Sequence, residues 1–388
     1  MLITLGDLRG FTVARNFFKP TTLKRALHRM GFVQADPIRA PARAQDLILR
    51  HRVTNYHAGD LERHYAALDI EEDFFIIYGF VTKSLHGLMH PRSDSRFTGE
   101  DVRSLWPANQ KKQRQRAQLL LEFVRERGAV HPREVDEHFS HGTIKNYWGG
   151  SSNATTHLLE EMHYRGLLRV ARREKGIRIY SAREQVHTPT SAGKEVPTVD
   201  HVRDTRATSE RRPRIDALVD VAVRIYAPLP GPSLSSLVSR LRFAVPQWQM
   251  ELKSALQRAK QRLSQARVNG VDWYWPQDET VPLPAPEDTV RLLAPFDPLV
   301  RDRARFGLLW AWEYRFEAYT AKPKRKLGYY ALPLVWRDRV IGWGNLSVTN
   351  GELKSEFGYA GTQPRDRRFK RELEAELERV RIFLNLGS

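Results

Sequence analysis

The chain contains no cysteine. That excludes disulfides, thiolate nucleophiles, and zinc or iron–sulfur sites built on cysteine, and it fits a reducing compartment. Acidic side chains are in deficit: 45 Asp and Glu face 63 Lys and Arg, for a formal net charge of +18. Such an excess points to a polyanionic partner, nucleic acid before an anionic membrane, because no basic amphipathic segment stands apart from the rest. No apolar run approaches the ~20 residues that span a bilayer. The opening MLITLGDLRG lacks the basic stretch and apolar core of a signal peptide, so a soluble, cytoplasmic protein is expected. Phosphate-binding Walker loops, the Gly-x-Ser-x-Gly elbow and His-Glu-x-x-His are all missing, which sets aside three large enzyme classes.

What is present divides into four parts, and 388 residues suffice for several domains. We place them at 1–92, 117–184, 213–281 and 282–388, separated by a polar stretch at 93–116 and a Ser/Thr/Pro-rich linker at 186–212. The first part is expected to be mostly helical. The second reads as helix, turn, helix, then hairpin, with Asn153 as N-cap of a helix over 154–165 that Gly166 closes. Its strands LLRVARRE and IRIYSARE join around Lys175-Gly176. The third part repeats the theme, with helices expected at 213–226, 233–241 and 246–263. A hairpin around Asn269-Gly270 follows, a dipeptide suited to the positive φ angles of a type I′ turn. Helix, helix and two-stranded wing is the winged-helix pattern. The last part alternates like strands in YRFEAYT, GYYALPLVW and RVIGWGNLSV, then ends in an amphipathic helix over 365–386. The fold class is α+β, mainly helical: tandem winged helices and a β-rich C-terminal domain clasped by the terminal helix.

The richest stretch is GFVQADPIRAPARAQDLILRHRV, 31–53. A short strand delivers Gln34 and Asp36 with a single Ala35 between them, and residues two apart in extended backbone share a face. An amide beside a carboxylate can hold and polarise a water molecule. The plainer reading makes Asp36 the N-cap of a helix opened by Pro37. The two are compatible, because a helix start lies at a surface where ligands approach. Arg39, Arg43 and Gln45 flank the motif as candidate contacts to nucleic acid. In the second part Arg165, Arg169, Arg172, Arg173, Lys175 and Arg178 would line the docking face of a winged helix. Lys322, Lys324, Arg325 and Lys326 sit at an expected hairpin tip and form a candidate phosphate clamp. Asp297 and Asp302 are alternative carboxylates, each flanked by arginine and expected to be ion-paired. His51, His57 and His64 lack ligand spacing, so no metal is expected.

Together VQADPI with ARAQDLIL, NYWGG…LLEEMHYRGLLRVARRE, and LLAPFDPLVRDRARFGLLWAWEYRFEAY…PKRKLGYYALPL resemble, over nearly the whole chain, the YcaQ/AlkZ family of bacterial winged-helix DNA glycosylases. The resemblance implies tandem winged helices around a basic C-shaped channel. It implies a Gln-apolar-Asp catalytic signature, carried here by Gln34-Ala35-Asp36. The implied activity is DNA repair: base excision of N7-alkylated purines from double-stranded DNA, and unhooking of interstrand crosslinks made through those nitrogens. No lysine nucleophile is called for, so a monofunctional enzyme follows, with no cofactor, no metal and no obligate protein partner, at work on the nucleoid. The chain departs from the family pattern at Ala35, where a branched residue is expected, and at Gln45, where many relatives carry His. Phe80-Val81 stands where the YcaQ branch has a His-Glu pair. The competing reading is a non-catalytic winged-helix DNA-binding protein, a regulator or architectural factor, in which Asp36 is only a cap that Asn would replace.

Overall fold

Threonine hydroxyls set the starts of the N-terminal helices in this computed structural model, which describes residues 2–90, 92, 110–139, 143–145, 151–183, 200–281 and 287–387. Thr4 forms a capping box with Asp7 at the head of α1 (Leu5–Asn16), and Thr22 caps α2 (Leu23–Met30). Then come β1 (Phe32–Gln34), α3 (Ala44–Leu49), α4 (Asp60–Arg63), β2 (Ile70–Phe74), β3 (Tyr78–Thr82) and α5 (Lys83–Met89). The strands form an antiparallel sheet in the order β1-β3-β2, with Gln34 opposite Gly79. Only glycine fits there: a Cβ on residue 79 would fall 2.3 Å from the Val33 carbonyl oxygen. The first part is thus a helix–sheet mixture rather than mostly helical.

The helix expected to open at Pro37 does not form. Residues 37–43 are irregular, and α3 starts only at Ala44. Pro41 explains this, since it has no N–H to bond the carbonyl of residue 37.

Apart from an extra two-stranded pair in the second, the second and third parts share one order of helices and hairpin strands. The second runs α6 (Lys111–Arg127), β4 (Ala129–Val130), α7 (Pro132–Phe139), β5 (Thr143–Lys145), β6 (Ser151–Asn153), α8 (Ala154–Tyr164), β7 (Leu168–Glu174) and β8 (Ile177–Ala182). The third runs α9 (Asp200–Tyr226), β9 (Leu229–Pro230), α10 (Gly231–Arg240), α11 (Leu252–Arg262), β10 (Ser264–Val268) and β11 (Val271–Trp275). In each, a short strand joins the second strand of a hairpin, giving β4-β8-β7 and β9-β11-β10. Both hairpins turn where expected, at Lys175-Gly176 and Asn269-Gly270, with positive φ at all four residues. The linker 93–109, all of 184–199 and the side chain of Asn153 lie outside the described residues. Residues 200–212, expected as linker, are helical instead. They contain no Gly or Pro to stop a helix, and Pro213 sits inside α9.

The last part is an antiparallel meander: β12 (Val290–Leu292), β13 (Leu332–Trp336), β14 (Arg339–Thr349) and β15 (Glu352–Tyr359). Between its first two strands lies α12 (Arg303–Trp310), and α13 (Arg367–Phe383) ends the chain. Residues 314–320 do not form the expected strand. Glu317 accepts the backbone N–H groups of Lys326, Leu327 and Gly328 at 2.7–3.2 Å, so side-chain bonds replace a ladder. Lys322–Lys324 is accordingly a 3₁₀ turn within a closed loop rather than a hairpin tip. On α13, the fully buried Glu376 accepts the Leu292 N–H at 2.8 Å and pairs with Arg50, clasping the sheet to α3.

Two cores interleave distant parts. One joins α1 and β3 to α9–α11 and α12; the other joins α2, α3 and β1 to the meander and α13. The 110–183 unit keeps a core of its own. Two buried carboxylates on β2 help to fasten it to the rest. Glu71 holds Arg169 at 2.9 Å, and Glu72 holds Arg173 at 2.6 Å. Asp73 holds Arg92 of the first part at 2.8 Å, and Arg92 in turn donates to the Tyr164 carbonyl of α8 at 2.7 Å. His163 of α8 bonds the Glu72 carbonyl through Nε2 at 2.8 Å. Among the described residues no helix is long and apolar enough to cross a membrane.

Burial lowers the His163 pKa to about 4 and that of His90 to about 3, whereas an unfolded histidine titrates near 6.5. Between those values the unfolded chain binds more protons, so stability is lost as pH falls below about 6.5. His163→Gln keeps a donor without a titration, so its Tm should decline less steeply with acid than that of the wild type; parallel profiles would refute the assignment. A second pair is testable by urea unfolding. Arg52 and Asp297, 1% and 0% exposed, form a two-bond ion pair. Asp297→Ala leaves a buried guanidinium unpaired and should cost about 3–5 kcal/mol; a loss under about 1 kcal/mol would count against it.

Candidate active site

Beyond β1 the backbone leaves the sheet, and Asp36 closes a tight turn by accepting the Ile38 N–H on Oδ1 at 2.9 Å. Asp36 therefore caps a turn and not a helix. Its own N–H donates to the Gln45 side-chain oxygen at 3.4 Å. The half-buried carboxyl faces a pocket of about 290 Å³ whose walls include Arg43, Gln45, Tyr78, Arg173 and Arg178. Pro132, Thr156 and Glu160 of the second unit complete it. The pocket lies at a junction between two units. Burial raises the Asp36 pKa above its ordinary value, and the Ile38 N–H pulls the other way.

Gln34 is 5% exposed, and its side-chain oxygen accepts Arg301 Nε–H at 2.9 Å. That contact fixes the amide and leaves its NH₂ as the end free to donate. Among the described residues the pocket wall includes Ala35, Asp36 and Pro37 but not Gln34, so the expected shared face does not place both side chains in the wall; Arg301 holds the Gln34 amide.

The wing closes over this motif through Gly176. The residue has φ +87°, and a Cβ there would fall 2.0 Å from Arg43 Nη2. Arg43 itself pairs with Glu62. Most arginines expected on a docking face are likewise engaged within the chain. Arg169 and Arg173 bond Glu71 and Glu72, while Arg165, Arg172 and Arg178 pair with Glu161, Glu174 and Glu160 at 2.7–3.0 Å. Arg178 also lies 4.4 Å from the Tyr78 ring centroid. Arg39, Lys175, Lys322, Lys324 and Lys326 are exposed and form no ion pair among the described residues. A second groove, of about 800 Å³, is lined by Arg39, Lys322, Arg325, Tyr329, Tyr330 and Lys354. Arg325 is tethered to the Thr320 carbonyl at 2.7 Å.

The alternative carboxylates are structural. Asp297 is ion-paired as expected, though with Arg52 rather than a sequence neighbour; Asp302 is no ion pair but the N-cap of α12. His51 bonds the Leu292 carbonyl at 3.0 Å, and burial holds its pKa well below the ordinary value.

A cluster that sequence reading missed is Asp73 with His86 and His90, whose ligand atoms lie within 4.8 Å of one another. The i, i+4 histidine spacing was its visible signal. Arg92 already neutralises that carboxylate, so a dication would leave uncompensated charge in a buried site. We read the cluster as a structural knot. Tyr78, Glu160 and Arg301 were also missed as pocket neighbours; each arrives from a distant element and carries no local signal.

A family model described as DNA glycosylase AlkZ-like matches residues 27–383. Among solved structures, the DNA glycosylase AlkZ of Streptomyces sahachiroi aligns at a TM-score of 0.57 over 99% of this chain and 97% of its own. Identity is 14%, so that likeness bears on the fold alone. The match of the family model across all four parts settles the affiliation: the chain belongs to the AlkZ-like family of DNA glycosylases.

Proposed function

We propose that this chain is a monofunctional DNA repair N-glycosylase that removes N7-alkylated purines and unhooks crosslinks made through N7. The observation that carries the proposal is the Asp36 carboxyl, half-buried in a junction pocket within a chain of this family. The two helix–strand–helix–helix–hairpin units we read as winged helices.

An N7-alkylguanine is already cationic, so its base leaves without a general acid. The C1′–N9 bond breaks with its electron pair going to the base, which cancels the base's charge. What the protein must supply is stabilisation of the oxocarbenium sugar and a water for C1′. This is glycoside hydrolysis with one carboxylate in place of two. Asp36 faces the developing positive charge and accepts the proton lost by the attacking water. A carboxyl whose pKa is raised by burial is a better base than an exposed one. Gln34, its oxygen occupied by Arg301, offers its NH₂ to orient that water.

A pocket between units suits bulky adducts better than a closed base-flipping pocket inside one unit. Affinity then comes from phosphate contacts by the exposed cations Arg39, Lys175, Lys322, Lys324 and Lys326, which carry little sequence information.

Two experiments test this reading. A duplex containing N7-methylguanine and a nitrogen-mustard crosslinked duplex are incubated with the protein, then heated in mild base to reveal abasic sites. Asp36→Asn and Gln34→Ala should lower the single-turnover rate, Asp36→Asn by about 10²–10⁴. Wild-type protein that binds both duplexes and leaves them intact would favour the regulator instead, and a borohydride-trapped adduct would exclude the monofunctional mechanism. In the second experiment, Lys322, Lys324 and Lys326 are changed together to Ala. The slope of log affinity against log salt should flatten by about 0.9 for each phosphate that is no longer neutralised; an unchanged slope would remove this loop from the interface.

A further inference from the structure

One buried hydroxyl near the motif has no partner. Tyr330, just before β13, is 3% exposed, and its phenol oxygen makes no hydrogen bond. Buried polar groups left unpaired are rare and call for an explanation. The ring itself is fixed, edge-on to Phe316 at 5.4 Å, in the core cluster that also holds Val33 and Leu332.

The neighbourhood supplies a partner. Ala35, Ile38 and Ala40, which bracket Asp36, pack against that same cluster. Tyr330 also shares the second groove with Arg39, Ala40 and Pro41. After burial, the Asp36 charge is the largest influence raising the phenol above its ordinary pKa. Asp36 has an oxygen to offer: Oδ1 takes the Ile38 N–H, and Oδ2 has no hydrogen-bond donor among the described residues.

We propose that Tyr330 is a positioning residue for Asp36, its phenol O–H donating to the free carboxylate oxygen once DNA fills the pocket. The proposal rests on Asp36 being the acting carboxylate. When DNA excludes water, an ionised carboxylate is disfavoured, and a donor fixed in the core restores the charged form. The phenol keeps its proton throughout and acts through Asp36, not on the sugar. Other groups facing Asp36 are Arg43, Tyr78, Glu160, Arg173, Arg178 and Tyr180 across the pocket, with Tyr319 on the opposite side. Those around Tyr330 are Tyr314, Tyr319 and Arg303. None of these is altered by the test.

Tyr330→Phe keeps the ring and removes only the donor. Single-turnover release of N7-methylguanine from duplex DNA is profiled against pH for wild type, Tyr330→Phe and Asp36→Asn. The acid limb of the Tyr330→Phe rate should move up by about one unit, a loss of roughly tenfold on that limb that higher pH restores. Duplex affinity should not change. The Tm of the free variant should match or exceed that of the wild type, because the hydroxyl has no partner to lose. An active Asp36→Asn would overturn the reading of Asp36 itself. An inert Asp36→Asn beside a Tyr330→Phe profile that overlays the wild type would overturn the Tyr330 proposal alone, as would a lower Tm.

Discussion

Glu72 is the contact on which the arrangement turns. A carboxylate with no exposure is tolerated only when its charge is matched, and Arg173 matches it with two bonds at 2.6–2.7 Å while the Tyr78 hydroxyl donates a third at 2.7 Å. These bonds hold the wing of the second unit against the first sheet, and Arg173 holds the Gly176 carbonyl as well. With the wing held, Gly176 rests on Arg43 and the pocket wall beside Asp36 is complete. The pocket therefore depends on a desolvated ion pair whose arginine lines the same wall as Asp36. The second unit has its own core, and that pair works with the Glu71–Arg169 bridge and the His163 bond to the Glu72 carbonyl to fix it where it stands.

The same contact changes the meaning of the net charge. A surplus of +18 suggests a broadly cationic surface, and the arginines of 165–178 look like its densest part. The structure turns several of them inward, onto Glu71 and Glu72. Lys175 stays exposed at the wing tip, and further exposed cations without an ion pair among the described residues include Arg39 and the lysines of the closed loop at 322–326. Charge counted along a sequence and charge offered to a partner are different quantities, because acids on another element cancel the first.

What could be read from the chain follows that distinction. Hairpins at Lys175-Gly176 and Asn269-Gly270 were legible because a turn depends on two adjacent residues, and the helices of the third part because periodicity is local. The loop at 314–320 was not legible, since its alternation is overridden by one glutamate closing on three N–H groups up to eleven residues away. Pro41 is the local signal that defers the helix, which starts only at Ala44. At the site, Asp36 stood out by its spacing from Gln34 and does face the pocket. Arg301, Glu72 and Tyr330 did not stand out, because a side chain's relation to a site on another element leaves no mark in its own neighbourhood.

The departures from the family pattern can be weighed by where they fall. Phe80 and Val81 are 1% and 0% exposed. They sit within β3 in register with Glu72 and Glu71, and Phe80 lies under the Arg173 guanidinium. Neither lines the pocket among the described residues; both belong to the floor that carries the wing. Gln45 is different. It lines the pocket, is 1% exposed, and its oxygen holds the Asp36 N–H. An amide oxygen accepts regardless of pH, whereas an imidazole accepts only when neutral and in one tautomer. Gln45 thus bears directly on the motif, as an acceptor for the Asp36 backbone that does not depend on pH.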